Sequence, residues 1–245
     1  MLNFLMQKLD IRQWWETPLG RAFFNQESLE VKRLISGIFG YHILLMGEPH
    51  FLACLQESTI RHRVWIHPNA KSEADGSALA SRFDKLPVIS DGVDLVYLAH
   101  CLEFIKNPHE VLRETFRILL PEGHLIISGF NPWSLWGIGR WLGGWTKRAP
   151  WHGSFISAAR MKDWLSLLGF DVMQTSPYFF RPPINHTKFQ QKTFWLEKVG
   201  RFCWPFGHGG YVILARKRVI TLTPIRPLFQ TTRKASLAAE PIGAE

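Results

Sequence analysis

The residue that most directly offers chemistry is His100, which follows residues 93–98, a short apolar run with β-branched members. Such a run predicts a strand buried on both faces of a sheet, and open α/β sheets bind ligands at the carboxyl ends of their strands. A histidine there suits hydrogen bonding to a ligand or proton transfer, because imidazole titrates near neutral pH. His100 is therefore the candidate catalytic residue. The alternative is a histidine that only satisfies backbone groups at the strand end.

Two further predicted strands, residues 41–46 and 62–66, also end in residues that suit ligand binding. Gly47 follows the first strand, and a glycine lets the backbone approach a ligand closely. Glu48 adds a carboxylate beside it. Asn69, after the second strand, offers an amide oxygen that accepts a hydrogen bond from a hydroxyl. For Gly47 the alternative is a turn glycine in a site that has lost its ligand.

Several familiar catalytic patterns are absent from the sequence. It contains no GxSxG, HExxH or GxxxxGK[ST] motif and no internal repeat. Cys54, Cys101 and Cys203 are widely spaced without a CxxC pair, so we expect buried free thiols rather than disulfides or a zinc site. His62 and His67 would point to opposite faces of a strand, which makes them an improbable metal pair. No metal site is expected.

The elements that position His100 are clearest in residues 84–132. Asn107 and Pro108 predict a helix start, and the following apolar residues recur at helical spacing on one face. Pro121 predicts the end of that helix, and the apolar run 124–130 predicts a second strand. Together these segments predict a βαβ unit.

The series LPV, DGVDLVYLAHCLEF and NPHEVLRETFRILLPEGHLIIS resembles the core of the class I S-adenosylmethionine-dependent methyltransferases, in their small-molecule branch. The segments WWETPLGRAFF, GFNPWSLWG, RMKDWLSLLGFDV and GGYVILARKR extend this resemblance, over most of residues 14–218, to a little-characterised proteobacterial group of methyltransferase-like proteins. The resemblance implies an α/β, Rossmann-like fold with a mostly parallel seven-stranded sheet and an antiparallel last strand. It also implies S-adenosyl-L-methionine as cofactor.

The resemblance assigns cofactor contacts to a set of positions near the strand ends: Gly47, Glu48, Asn69, Asp84, Leu86 and Ala99. Three departures from the family pattern stand beside them. The glycine-rich turn after strand one keeps only Gly47, strand two ends in His67 instead of a carboxylate, and Arg82 takes the place where the family has an acidic residue. Asp84 can take the place of that acidic residue only if the family spacing is shifted by two positions.

A tryptophan-rich segment, residues 131–151, follows the second strand of the βαβ unit and holds five of the eleven tryptophans. Its aromatic residues do not form a helical stripe, so we expect an irregular flap over the site rather than a membrane-interface helix. The flap supplies the candidate acceptor-binding residues Asn131, Trp133, Trp136 and Arg140.

Charge is unevenly distributed along the chain. Residues 1–130 hold 13 Lys+Arg against 15 Asp+Glu, whereas residues 131–245 hold 16 against 5. A basic half favours an anionic partner, namely a small anionic substrate, nucleic acid or an anionic membrane surface; the alternative is an ordinary solvated basic face. No apolar stretch is long enough for a transmembrane helix and the N-terminus lacks a signal peptide pattern, so a cytoplasmic location is expected.

The domain organisation expected from these features is one methyltransferase-like domain over residues 1–218, with an N-terminal helical cover over 1–40 and a basic, disordered tail over 219–245. Three functions remain open. The first is methyl transfer to a small acceptor that is anionic or partly apolar. The second is an inactive binding module of the same fold, supported by the three departures. The third is RNA methylation, supported by the basic half but opposed by the lack of an RNA-binding domain or an NPPY-like motif.

Overall fold

The computed structural model of the chain describes residues 11–70, 77–137, 150–184 and 207–218. Within these ranges a single sheet of seven strands runs through the molecule in the order β3-β2-β1-β4-β5-β7-β6. The strands are β1 His42–Gly47, β2 His62–Ile66, β3 Ala78–Leu79, β4 Val93–Ala99, β5 Leu119–Phe130, β6 Phe170–Tyr178 and β7 Gly210–Lys217.

Strand direction follows the expected pattern. The pairs β3–β2, β2–β1, β1–β4 and β4–β5 are parallel, while β7 is antiparallel to both of its neighbours, β5 and β6. The α/β, Rossmann-like arrangement with an antiparallel last strand is therefore confirmed. Parallel strands bring their carboxyl ends to one edge of the sheet, so the ends of β1, β2, β4 and β5 share that edge.

Helices cover the two faces of the sheet, and two separate cores fill the space between the layers. The helices are α1 Pro18–Ile35, the short α2 Leu52–Leu55, α3 Pro108–Ile118 and α4 Ala158–Leu167. In β1, Ile43 and Leu45 pack with α1, whereas Leu44 and Met46 pack with α3 and α4, because side chains along a strand alternate between faces. Both faces of the central strands are thus buried.

The sequence of residues 17–39 predicts an amphipathic helix that begins at Thr17-Pro18, with a possible break near Asn25. Helix α1 begins there but is not broken. The Thr17 side chain accepts a hydrogen bond from the Gly20 amide at 3.1 Å and caps the helix, which then continues without interruption to Ile35. The buried residues Phe23, Val31 and Leu34 supply the packing that keeps the helix intact. A contiguous apolar face therefore outweighs the poor helix propensity of Asn25.

Two other boundaries differ from expectation. Helix α3 ends at Ile118 and β5 begins at Leu119, before Pro121, because the early part of β5 already pairs with β4 through Val93. Asp94 lies only 47 positions after Gly47, so the sequence predicts no more than a short helix over 76–81 after the second strand. The structure instead has β3 at Ala78–Leu79. The sequence also predicts a helix over 188–202. This segment and the predicted tail over 219–245 lie outside the described residues.

Cys54 and Cys101 are buried free thiols, as expected, and burial raises the pKa of each, to about 12 for Cys54. Cys203 lies outside the described residues. Of the helices that the structure describes, none is long and apolar enough to cross a membrane.

Candidate functional site

His100 lies directly after β4, at the carboxyl edge of the sheet, in a left-handed backbone conformation with φ of 46°. Its side chain is buried between two carboxylates. Nε2 lies 3.1 Å from Oε2 of Glu27, on helix α1, and Nδ1 lies 3.4 Å from Oε1 of Glu103. Nε2 also lies 3.3 Å from the Tyr178 hydroxyl at the end of β6. Side chains from α1, from β6 and from the segment directly after β4 therefore converge on this one imidazole.

The second oxygen of Glu27 is also bonded, because the Tyr97 hydroxyl donates to its Oε1 at 2.8 Å. Burial alone would raise the pKa of Glu27, but the charge of His100, with hydrogen bonds from His100, Ser128 and Tyr97, holds it below 4.5. Burial alone would likewise lower the pKa of His100, but Glu27 and Glu103 raise it to about 9. The cluster therefore holds a buried imidazolium at neutral pH.

Aromatic rings enclose the imidazolium. The ring centroids of Trp15, Phe51 and Phe130 lie 5.3, 6.0 and 4.3 Å from that of His100. These rings exclude water, which strengthens the attraction between the imidazolium and its two carboxylates. An imidazolium has no free lone pair, so in this arrangement His100 acts as a proton donor. Its expected catalytic role stays a prediction.

At the end of β1, Gly47 has a φ of 150°, which favours glycine. A Cβ on Gly47 would lie 2.5 Å from the carbonyl oxygen of Ala99, its partner in the β1–β4 ladder. The Gly47 carbonyl also accepts a hydrogen bond from the Trp65 indole at 2.9 Å. The close approach of two strands thus explains this glycine, whether or not a ligand also uses the space.

Glu48 is buried between the N-terminal segment and the end of β2. Its Oε2 accepts a hydrogen bond from Arg12 Nε at 2.6 Å, and its Oε1 lies 3.7 Å from Nε2 of His67. The backbone N–H of Asn69 donates to Nδ1 of His67 at 3.1 Å, which places the proton of a neutral His67 on Nε2, facing Glu48. A carboxylate therefore does stand between the ends of β1 and β2, but Glu48 supplies it from the β1 side.

Two further predicted cofactor positions, Asp84 and Leu86, lie in the segment that precedes β4. Asp84 is bound by the exposed Arg82, whose hydrogen bond lowers the pKa of that carboxyl. Leu86 is buried, and its amide donates to the Glu114 carboxylate on α3 at 2.7 Å. The structure thus places Asp84 where its carboxylate already has a cationic partner.

Asn131 follows β5 and is buried, with both ends of its amide bonded. Its Nδ2 donates to the His208 carbonyl at 3.0 Å, and its Oδ1 accepts from the Trp133 amide at 3.1 Å. Trp133 itself is 78% exposed, whereas Trp136 is fully buried and donates its indole N–H to the Arg181 carbonyl at 3.1 Å. Arg140 lies outside the described residues. Asn131 therefore fixes a turn that presents Trp133 to solvent and anchors Trp136 in the core.

None of the residues that surround His100 was predicted from the sequence: Glu27, Glu103, Tyr97 and Tyr178. One signal was available for Glu27. It occupies the same helical stripe as Phe23, Val31 and Leu34, and a carboxylate within an apolar stripe must find a buried partner. Arg12 was missed as well, because nothing local to residues 11–16 indicates a contact with Glu48.

Comparison with known proteins identifies the family and the fold of the chain. A family model described as a methyltransferase domain matches residues 36–175. YafS, an uncharacterized protein of Escherichia coli K12, is 29% identical over 223 residues, which cover 90% of this chain and 86% of YafS.

Solved structures share the fold at low sequence identity. A methyltransferase from Thermotoga maritima, described as a possible histamine N-methyltransferase, is 17% identical with a TM-score of 0.64, and the match covers 84% of this chain and 94% of that one. A methyltransferase from Archaeoglobus fulgidus is 18% identical with a TM-score of 0.52, over 78% and 93% of the two chains. The family model spans more than half of the chain, from the end of α1 through most of β6. This protein therefore belongs to the methyltransferase domain family.

Proposed function

We propose that this protein transfers a methyl group from S-adenosylmethionine to a small acceptor that combines an apolar body with an anionic group. The observation that carries the proposal is the placement of Glu48. Its carboxylate lies between the ends of β1 and β2, beside Gly47 and at the edge where open α/β sheets bind ligands.

The polar groups at this edge suit the cofactor. S-adenosylmethionine carries ribose hydroxyls, an ammonium and an adenine amine, and it supplies the methyl group on a sulfonium. Carboxylates accept hydrogen bonds from all of these donors, and Glu48 and Asp84 provide two, with the Asn69 amide as a third acceptor. We propose that Glu48, Asn69 and Asp84 bind these polar groups and that Gly47, Leu86 and Ala99 line the apolar part of the site.

Both carboxylates carry arginine partners that a cofactor would replace or share. The Arg12 side chain is 48% exposed and that of Arg82 is 75% exposed, so both arginines can turn into solvent. An exposed ion pair such as Arg82–Asp84 contributes little stability, about 0–1 kcal/mol, whereas the departure of Arg12 leaves the buried Glu48 carboxylate for the ligand to compensate. Ligand binding therefore has only a small cost to overcome at Asp84, and a larger one at Glu48, which is itself buried.

We propose that the acceptor binds beside the turn after β5. Trp133 presents a large, exposed indole there, and Asn131 holds the turn in place. Arg140, from the same segment of the sequence, is the proposed partner of the acceptor's anionic group. Orientation of two bound reactants supplies on the order of 7 to 11 kcal/mol in favourable cases, so methyl transfer does not require a dedicated base. In this scheme His100 stays protonated and holds the buried residues at the bottom of the crevice in place.

The experiment measures S-adenosylhomocysteine release with aromatic and aliphatic carboxylates and with their uncharged amides. We expect turnover of carboxylates in preference to amides, and at least about a tenfold fall in kcat/KM for the acceptor in Trp133→Ala with the KM for cofactor unchanged. Leu167→Ala, which removes another exposed apolar side chain on α4, is the matched control and leaves both parameters unchanged. Equal turnover of acids and amides contradicts the acceptor class.

A second function, a binding module without catalysis, is favoured by one observation. Near the end of β1, Trp15 packs against Phe51 and His100, and Arg12, from the same N-terminal segment, binds Glu48. In that case the protein binds S-adenosylmethionine weakly or not at all and releases no S-adenosylhomocysteine with any acceptor. The release assay, run together with a binding titration, separates the two functions.

A further inference from the structure

A pair of histidines occupies the opposite edge of the sheet. His42 and His62 are the first residues of β1 and β2 and pair directly in register. Residues in register on adjacent parallel strands point to the same face, so the two imidazoles meet side by side. Their Nδ1 atoms lie 2.9 Å apart, and the ring planes are inclined at 89°. Two nitrogen atoms therefore converge on one point at the protein surface.

This surface is open to ligands. Both histidines are exposed, and they form part of the wall of a groove of about 290 Å³. The other wall residues are mainly apolar and include Val64, Leu79 and Val88. β1 is six residues long, so the pair lies about 16 Å along the strand from Gly47, at about 3.3 Å per residue. The pair is thus separate from the candidate site at the carboxyl edge.

We propose that His42 and His62 bind one divalent late-transition-metal ion, such as Zn²⁺, Ni²⁺ or Cu²⁺, through their two Nδ1 atoms. Imidazole nitrogen is a preferred ligand of these ions. Zinc binds imidazole at about 2.0–2.1 Å, and tetrahedral geometry then sets the two nitrogens about 3.3 Å apart. The observed separation of 2.9 Å needs only a small outward rotation of two exposed rings. When each neutral imidazole carries its proton on Nε2, the lone pair of each Nδ1 is directed at the ion.

The site offers two protein ligands. Among the residues that the structure describes, no group of three or more histidine, cysteine or acidic side chains is placed to hold a metal. The remaining coordination positions of the ion therefore go to water or to a small ligand in the groove, as at open metal sites. The backbone at His42 is held in place, because Asp94 Oδ2 accepts the amide hydrogens of Tyr41 and His42, each at 2.9 Å. The ion would clamp the first residues of β1 and β2 together.

The test uses the full chain without a polyhistidine tag, freed of metal by a chelator that is then removed. Titration with Zn²⁺ or Ni²⁺, followed by calorimetry, is expected to show one ion per chain. A saturating ion raises Tm by about 3 °C when its concentration is about ten times Kd. His42→Thr and His62→Thr each weaken binding at least about tenfold, because a single imidazole remains. His109→Gln, at another exposed histidine near the start of α3, leaves binding unchanged.

Electron paramagnetic resonance of the Cu²⁺ form supplies an independent readout. The proposal predicts hyperfine coupling to two imidazole nitrogens in the wild type and to one in each threonine variant. Binding that survives both substitutions, or a Kd above about 1 mM for the wild type, overturns it. In that event the two rings are joined by a simple N–H···N hydrogen bond.

Discussion

The replacement Glu27→Gln tests the buried cluster around His100, because it removes one charge while keeping the shape of the side chain. Glu27 is fully buried, and its Oε2 lies 3.1 Å from Nε2 of His100. Coulomb's law with an effective dielectric constant of about 20 gives about 5 kcal/mol for this pair. Glu103, at 3.4 Å from Nδ1, continues to compensate the imidazolium after the change. We therefore expect a loss of about 3 kcal/mol in the free energy of unfolding.

The measurement is denaturant unfolding at pH 7, with a thermal scan in which Tm falls by about 6–12 °C. Glu30→Gln is the matched control on the same helix, since Glu30 pairs with the exposed Arg33, and a surface pair of this kind changes stability by less than about 1 kcal/mol. A double-mutant cycle with His100→Gln should give a coupling of at least about 1 kcal/mol. A loss below about 1 kcal/mol in Glu27→Gln, or additive effects in the cycle, refutes the assignment of a charged buried pair.

Three further predictions concern the same edge of the sheet. The folded-state pKa of His100 is raised from 6.5 to about 9, so the stability that His100 contributes is complete below about pH 6.5 and is lost as the pH rises through 9. The free energy of unfolding, measured from pH 6.5 to 9.5, should therefore fall in the wild type and change less in His100→Gln. Gly47→Ala places a Cβ 2.5 Å from the Ala99 carbonyl and should lower Tm in a thermal scan; an unchanged Tm would show that the strands can separate. Trp136→Ala leaves a cavity at a fully buried position and should lower the free energy of unfolding by about 3–5 kcal/mol in denaturant unfolding. Trp133→Ala, at an exposed position, should lower it by less than about 0.5 kcal/mol, and equal losses would contradict the assigned burial.

The fold could be predicted because its signals are local. The apolar run of β4, the Asn107-Pro108 helix start and the second apolar run each lie within one element, and the resemblance to methyltransferases joined them in order. Strand β3 could not be predicted in this way. It has only two residues, so its existence depends on pairing with Trp65 and Ile66 of β2 rather than on any pattern of its own.

The site was less accessible to sequence reasoning because its contacts are distant along the chain. His100 was identified from its position after β4, but its main partner Glu27 lies 73 residues earlier. Glu48 was identified from its place after Gly47, yet its partner Arg12 is 36 residues away. Tertiary packing therefore decides the protonation of His100 and the pairing of Glu48, whereas the sequence indicates only which strand ends carry polar groups.

The most direct test of a cofactor site at the carboxyl edge is isothermal titration of the purified protein with S-adenosylmethionine and S-adenosylhomocysteine. We expect micromolar binding to the wild type and at least about tenfold weaker binding to Glu48→Gln, since a charge-assisted hydrogen bond contributes about 1.5–3 kcal/mol. Glu57→Gln, at an exposed carboxylate paired with Lys32, is the control and should bind as the wild type does. No detectable heat at millimolar cofactor, or equal affinity in Glu48→Gln, would contradict the proposed site.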